Sequence, residues 1–159
     1  MKKLLLLGLF SLSVSFLQAQ SARDVRLQLG ADYNFYVEAF GLNFGGEYLI
    51  TDQVSVAPNY SIYFPERGNA SNLNIDARYY FTKDILQWYG LVGFSNNWIS
   101  FSDDIFGDVK SSNAGANIGV GGVLKFTDSF AFNPEFKYQA QKHGQTVFRF
   151  ALVYFINHK

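Results

Sequence analysis

From Arg23 onward, apolar and polar residues alternate along the chain. Phe130, Phe132, Pro134, Phe136 and Tyr138 share one parity, and Ala131, Asn133, Glu135 and Lys137 share the other. Leu73, Ile75, Ala77, Tyr79 and Phe81 stand against Asn74, Asp76, Arg78 and Tyr80 in the same way. Alternation at 180° per residue describes a strand with one apolar and one polar side. The pattern predicts eight strands, at 23–34, 38–50, 54–64, 71–81, 85–101, 111–126, 130–140 and 146–157. Three of the connections are short and alike: Thr51-Asp52-Gln53, Thr82-Lys83-Asp84 and Thr127-Asp128-Ser129. They alternate with links at 65–70, 102–110 and 141–145, and a short one near Tyr36. Alternating short turns and longer loops describe an up-and-down barrel in an outer membrane. The expected fold is all-β, an eight-stranded antiparallel up-and-down transmembrane β-barrel. A weak repeat sets Thr51–Pro58 parallel to Thr127–Pro134, on strands three and seven.

Size decides which face is inside. One face carries Phe, Tyr, Trp, Leu and Ile on every strand; the other carries Gly30, Gly41, Gly45, Gly93, Gly115, Gly119 and Gly121 with many Ala, Ser and Asn. Eight strands enclose a space just wide enough for side chains to fill, so the small set belongs inside and the bulky set in lipid. The charges sit with the small residues, as they must where Lys or Arg at the bilayer midplane costs about 2–4 kcal/mol. The interior set comprises Arg26, Arg78, Lys125, Lys137 and Arg149 against Asp24, Asp32, Glu47, Asp76 and Glu135. Buried charges persist when paired and hydrogen-bonded, so an ion-pair network plugging the lumen is expected. A charged selectivity path through a pore is the alternative. Aromatics toward the strand ends form two expected girdles: Tyr33, Phe64, Trp98 and Phe148 on the outer side, and Tyr48, Phe81, Trp88, Phe126 and Tyr154 on the inner.

Residues 1–19 read as an address. Lys2 and Lys3 precede an apolar run from Leu4 to Phe16, and Leu17-Gln18-Ala19 suits a cleavage point. This is the pattern of a secretory signal peptide, with the barrel domain expected at 20–159. Its removal leaves 11 basic against 13 acidic residues, and a chain so balanced has no basic face for nucleic acid. The absence of cysteine excludes disulfide frameworks, thiolate catalysis and Cys-based zinc sites. No cofactor and no metal is expected.

Signal peptide, eight alternating strands and short inner turns together resemble the small OmpA/OmpX-like outer-membrane β-barrel family. The resemblance covers the whole mature chain. In the slots of the family's C-terminal assembly signal stand Arg149, Ala151, Tyr154 and Ile156, with Ala in place of Gly. It implies insertion by the barrel-assembly machinery of a bacterial outer membrane, contact with the bilayer and its outer-leaflet lipid, and a monomer.

Three further features invite chemistry. Asp103, Asp104 and Asp108 lie in the longest outer loop with Ile105 and Phe106, but without the EF-hand spacing for calcium. A protruding hairpin here could meet an extracellular partner through loop 102–110, pairing a free edge with a partner strand. His143, with Ser102 and Asp103, resembles the outer-rim arrangement of the lipid A palmitoyltransferase barrel, PagP. An ordinary loop histidine and a non-enzyme are the expectation. Pro58 and Pro134 interrupt strands in a barrel without edges; proline there removes a ladder hydrogen bond. They are expected to mark bulges, or else seams admitting an apolar ligand sideways. The expected role is structural or surface-interactive, in adhesion or envelope integrity, with a narrow channel or lateral conduit as the alternative and a lipid-modifying enzyme as a weaker one.

Overall fold

A computed structural model of the protein describes residues 22–103 and 107–156, with side chains described outside 101–109. Eight strands run in order: β1 (Val25–Asn34), β2 (Ala39–Leu49), β3 (Val54–Tyr63), β4 (Asn69–Tyr80), β5 (Leu86–Asp103), β6 (Gly107–Lys125), β7 (Phe130–Ala140) and β8 (Gln145–Phe155). Each pairs antiparallel with the next, and β1 pairs with β8 from Arg26↔Phe155 to Asn34↔Val147, closing the barrel. The expected fold is the observed one. The expected signal peptide, 1–19, lies outside the described residues.

Local chemistry explains the three inner turns. Thr51 Oγ1 accepts hydrogen bonds from the Gln53 and Val54 amides at 3.2 and 3.0 Å, and Thr127 Oγ1 accepts from the Phe130 amide at 2.9 Å. Thr82 Oγ1 donates to the Leu86 carbonyl and accepts from the Trp88 amide, at 2.7 and 2.9 Å. Each threonine satisfies backbone groups that the reversing chain takes out of the ladder. At the other end Asn34 Oδ1 accepts from the Tyr36 and Val37 amides, tightening the β1–β2 link. The end with the threonine turns is called inner below, and the end with the longer links outer.

Alternation sorts the side chains as their sizes require. Leu29, Phe40, Phe94, Ile118, Phe132 and Leu152 project outward, exposed to the surroundings of the barrel. Small residues line the inside where space is least: a Cβ on Gly121 would collide with the Tyr89 phenol, and one on Gly93 with Asp76. The glycines thus let large polar side chains from neighbouring strands occupy the lumen.

The strands differ in one respect from the pattern's prediction. The connection expected at 102–110 shrinks to 104–106, because β5 and β6 continue to Asp103↔Gly107. They reach 18 and 19 residues, against 10–12 in the other strands. The pattern ended at 101 and 111 because the residues between them, Ser102 to Lys110, carry no apolar–polar alternation. Strand without an apolar side has no period-two signal. Lys110 is exposed on the outward parity of β6, so this part of the hairpin stands above the apolar belt.

The belt's extent is testable by charge. Leu29→Arg, near the middle of β1, is expected to cost about 2–4 kcal/mol of stability. Ser112→Arg, on the same outward face but above the belt, should cost about 0–1 kcal/mol. Urea unfolding of the refolded protein in lipid vesicles measures both.

Candidate functional site

Inside the barrel the polar faces of all eight strands converge. Arg26, Asp32, Glu47, Asp76, Arg78, Glu135, Lys137 and Arg149 are all buried, and their contacts join into one network of equal positive and negative charge. Glu135 is its hub. Its Oε1 lies 3.1 Å from Arg149 Nη1 and 3.3 Å from Lys137 Nζ, while its Oε2 lies 2.7 Å from Arg78 Nη2 and accepts from Tyr89 Oη at 2.7 Å. From the hub, Arg149 reaches Asp32 at 2.9 Å and Lys137 reaches Asp76 at 3.0 Å. Arg78 reaches Glu47 at 3.3 Å, and Glu47 meets Arg26 at 3.5 Å. Neutral groups complete the carboxylates: Tyr80 and Ser55 donate to Glu47 at 2.6 and 2.5 Å, and Ser61 donates to Asp32 at 2.5 Å. Lys125 and Asp24 lie half-buried at the inner rim, with Lys125 Nζ 5.0 Å from the Phe155 ring centre.

Apolar and aromatic side chains close the inner end. Tyr80, Tyr89, Leu91, Val123, Ala131, Val153 and Phe155 form one buried cluster, with the Arg26 and Arg78 guanidinium groups over its rings. Toward the outer end, amides take over from charges. Asn117 donates to Asn74 and Asp76, Gln139 to Asn74, Asn72 to Gln139 and Asn97, and Asn97 to Gln141. Buried atoms without a hydrogen bond are Arg26 Nε, Arg78 Nε and Nη1, Gln87 Nε2, and the Oδ1 atoms of Asn43, Asn72 and Asn117. Buried polar atoms of this kind are ordinarily satisfied by internal water. Sequence reasoning missed the amide layer, although the recurrence of Asn and Gln on the small-residue parity was visible.

At the outer mouth Ala39, Tyr63, Ala70 and Ile99, from the neighbouring strands β2 to β5, form an apolar collar along one side of the amides. Beside it is a cavity of about 150 Å³, lined by Tyr36, Ile99, Ser111, Asn113, Gln141, Lys142, His143 and Gln145. His143 stacks on Tyr36, with ring centres 5.6 Å apart and planes 15° from parallel. The Ser102 and Asp103 side chains expected near it lie outside the described residues, as do Asp104, Ile105, Phe106 and the Asp108 side chain.

The two prolines make gaps, not bulges. Pairing of β2 with β3 stops after Gly45↔Asn59 and resumes at Tyr48↔Val56 in unchanged register. Pairing of β6 with β7 stops after Gly121↔Glu135 and resumes at Leu124↔Phe132, again in unchanged register. No residue is inserted, so the bulge reading gives way to a break in one ladder beside each proline, which has no N–H to donate. Gly46 faces Pro58 and Gly122 faces Pro134, so the same Gly-Gly and Pro pairing occurs in both halves of the barrel. In the second gap Asn133 Nδ2 donates to the Gly122 carbonyl at 2.9 Å, supplying a bond the proline cannot. Behind each gap stand paired polar groups, Glu47 at one and Asn133 at the other.

A closed sheet with a bulky apolar exterior and a hydrogen-bonded polar interior defines the class of small transmembrane up-and-down barrels. No protein-family model matches the sequence, and no curated protein matches it. Solved structures do share the fold. The N-terminal β-barrel domain of Pseudomonas aeruginosa OprF aligns with a TM-score of 0.74 at 21% identity, over 87% of this chain and 100% of that one. Ail, the attachment invasion locus protein of Yersinia pestis, aligns at 0.67 and 15% identity, over 85% and 99%. A transmembrane β-barrel designed de novo aligns at 0.60 and 12% identity, over 87% and 100%. The chain therefore has the eight-stranded fold of the small OmpA/OmpX-type outer-membrane barrels.

The hub carries a prediction. Glu135→Gln leaves Arg78, Lys137 and Arg149 short of one buried negative charge and should destabilise the barrel by about 3–5 kcal/mol. Adding Lys137→Met should recover part of that loss. Denaturant unfolding of both variants, followed by tryptophan fluorescence, gives the comparison.

Proposed function

We propose that this chain is an integral protein of a bacterial outer membrane whose closed barrel holds a surface-interaction element in place, in adhesion or envelope integrity. A cleaved signal peptide takes it through the inner membrane, the barrel-assembly machinery inserts it, and it acts as a monomer without catalysis of its own. The observation that carries this reading is the β5–β6 hairpin. It outgrows its neighbours, since β4 pairs with β5 only as far as Asn69↔Ser100 and β7 with β6 only as far as Ala140↔Ala116. Above that point β6 has no strand on its β7 side, and Lys110 to Ala114 offers an edge to the exterior. The lumen supports the same reading, because Arg78, Arg149, Lys137, Glu47 and Glu135 fill its section and hold one another. Ail, which shares the fold, is by its name an attachment protein.

The test is excision. Deleting 102–110 removes the hairpin tip with the last four β5–β6 pairs and leaves the pairing from Ile99↔Ser111 inward in place, so the variant should still migrate as a folded, heat-modifiable barrel. Cells displaying the full chain should attach to protein- and glycan-coated surfaces more than cells displaying the excised form. Equal attachment by the two sinks the reading. A steady single-channel conductance in planar bilayers would instead favour the channel.

A further inference from the structure

We propose that the cleft at the outer mouth is a binding site for a single saccharide ring, the terminal sugar of a glycan. The proposal deepens the surface-interaction reading and rests on its orientation, with the hairpin outside.

The cleft follows from the unequal strand lengths. Past Ala116↔Ala140, β6 continues outward while the chain after β7 turns back through 141–144. The space left between them is the cavity of about 150 Å³, on the scale of one pyranose ring and too small for a folded partner. Its walls have two characters. One is aromatic, carrying the Tyr36 and His143 rings, which stack on each other at 15°; aromatic C–H and ring surface of this kind packs against the apolar C–H groups of a sugar. The other is a set of amides and hydroxyls from Ser111, Asn113, Gln141 and Gln145. An amide presents a donor and an acceptor side by side, the complement of two adjacent sugar hydroxyls.

The amide wall is fixed before any ligand arrives. Gln141 Oε1 accepts from Asn97 at 2.8 Å and from Gln145 at 3.0 Å, while its Nε2 donates to Ser95 at 2.9 Å. Gln145 Oε1 accepts from the buried Asn34 at 2.7 Å. Both amides also keep an N–H beyond these bonds. Side chains already ordered lose little further rotamer freedom on binding, which favours affinity for a small ligand. The floor is apolar, set by Ile99 of the collar. Aromatic wall, fixed amides and apolar floor together suit a ring that is polar at its edge and apolar on its face.

The experiment is saturation-transfer-difference NMR on the full chain refolded in detergent micelles. Free galactose, N-acetylglucosamine and glucuronate serve as probes. At least one should show transfer, and Tyr36→Ala and Asn113→Ala should each weaken its binding by about tenfold. Both residues lie at the mouth, outside the charge network, and heat-modifiable mobility checks that the variants are folded. Repeating the titration in nanodiscs with and without outer-leaflet glycolipid separates the sources. Loss of the free-sugar signal in glycolipid discs assigns the site to the membrane's own sugars, and its survival assigns it to a soluble or host glycan. No transfer from any probe overturns the proposal, as does transfer that both substitutions leave unchanged. Displacement of the sugar signal only by an extended peptide, without effect of Tyr36→Ala, likewise replaces it with strand addition at the β6 edge. Orientation is checked separately: Lys142→Cys places one thiol in a chain without cysteine. If a membrane-impermeant maleimide fails to label it on intact cells, the outside placement falls while the micelle result stands.

Discussion

Every backbone N–H and C=O that a membrane protein places in hydrocarbon must find a partner within the protein, since lipid supplies none. In this chain the β1–β8 pairing from Arg26↔Phe155 to Asn34↔Val147 meets that condition. Without it, two full-length edges would face lipid. Closure at eight strands then fixes the diameter, and the diameter decides the sequence. The interior admits side chains but not bulky residues from every strand, so alternate positions go to Gly, Ala, Ser and Asn, and Phe, Tyr and Leu go outside. The Gly121–Tyr89 and Gly93–Asp76 contacts show how close the fit is, because one methyl at either glycine would expel a residue of the polar interior.

The charges follow from the same confinement. Isolated ions buried in the lumen would be costly, and the charges are shared: Glu135 has three cations around it, Arg78, Lys137 and Arg149. Sharing makes the network collective: Arg78 ties Glu135 to Glu47, and Arg149 ties it to Asp32. Replacing any one member changes the balance seen by the others, so their contributions do not add. Toward the outer end the requirement relaxes. Neutral amides bond to one another without a charge balance, and the section opens into the collar and the cleft.

The architecture was legible in the sequence because a barrel in lipid imposes period two on every strand. The eight segments, the three threonine turns and the parity of Arg26, Asp32, Glu47, Asp76, Arg78, Glu135, Lys137 and Arg149 all followed from that single signal. Three things did not. The extension of β5 and β6 to Asp103 and Gly107 was hidden, since strand above the lipid has no apolar side to alternate. Bulges at Pro58 and Pro134 were expected from proline chemistry alone, whereas the register shows gaps opposite Gly46 and Gly122. The repeat at Thr51–Pro58 and Thr127–Pro134 extends upstream to Gly45-Gly46 and Gly121-Gly122, and that extension held the missing clue. The cleft was invisible for a different reason: Tyr36 and His143 come from two separate connections and Asn113 from β6, and only closure brings them together.

The position of the prolines gains sense from this symmetry. Each gap interrupts a single ladder, while the opposite ladder of the same strand, β3 with β4 and β7 with β8, is continuous through Pro58 and Pro134. A strand anchored fully on one side can lose a bond on the other without opening the wall. At the second gap Asn133 replaces one of the missing bonds from the lumen side. A lateral passage would need the polar groups behind both gaps to move. At the first gap Glu47 is held by Ser55, Tyr80, Arg26 and Arg78, so opening the wall there means breaking the charge network itself. The interaction that fills the lumen is therefore also what keeps its weakest seam closed.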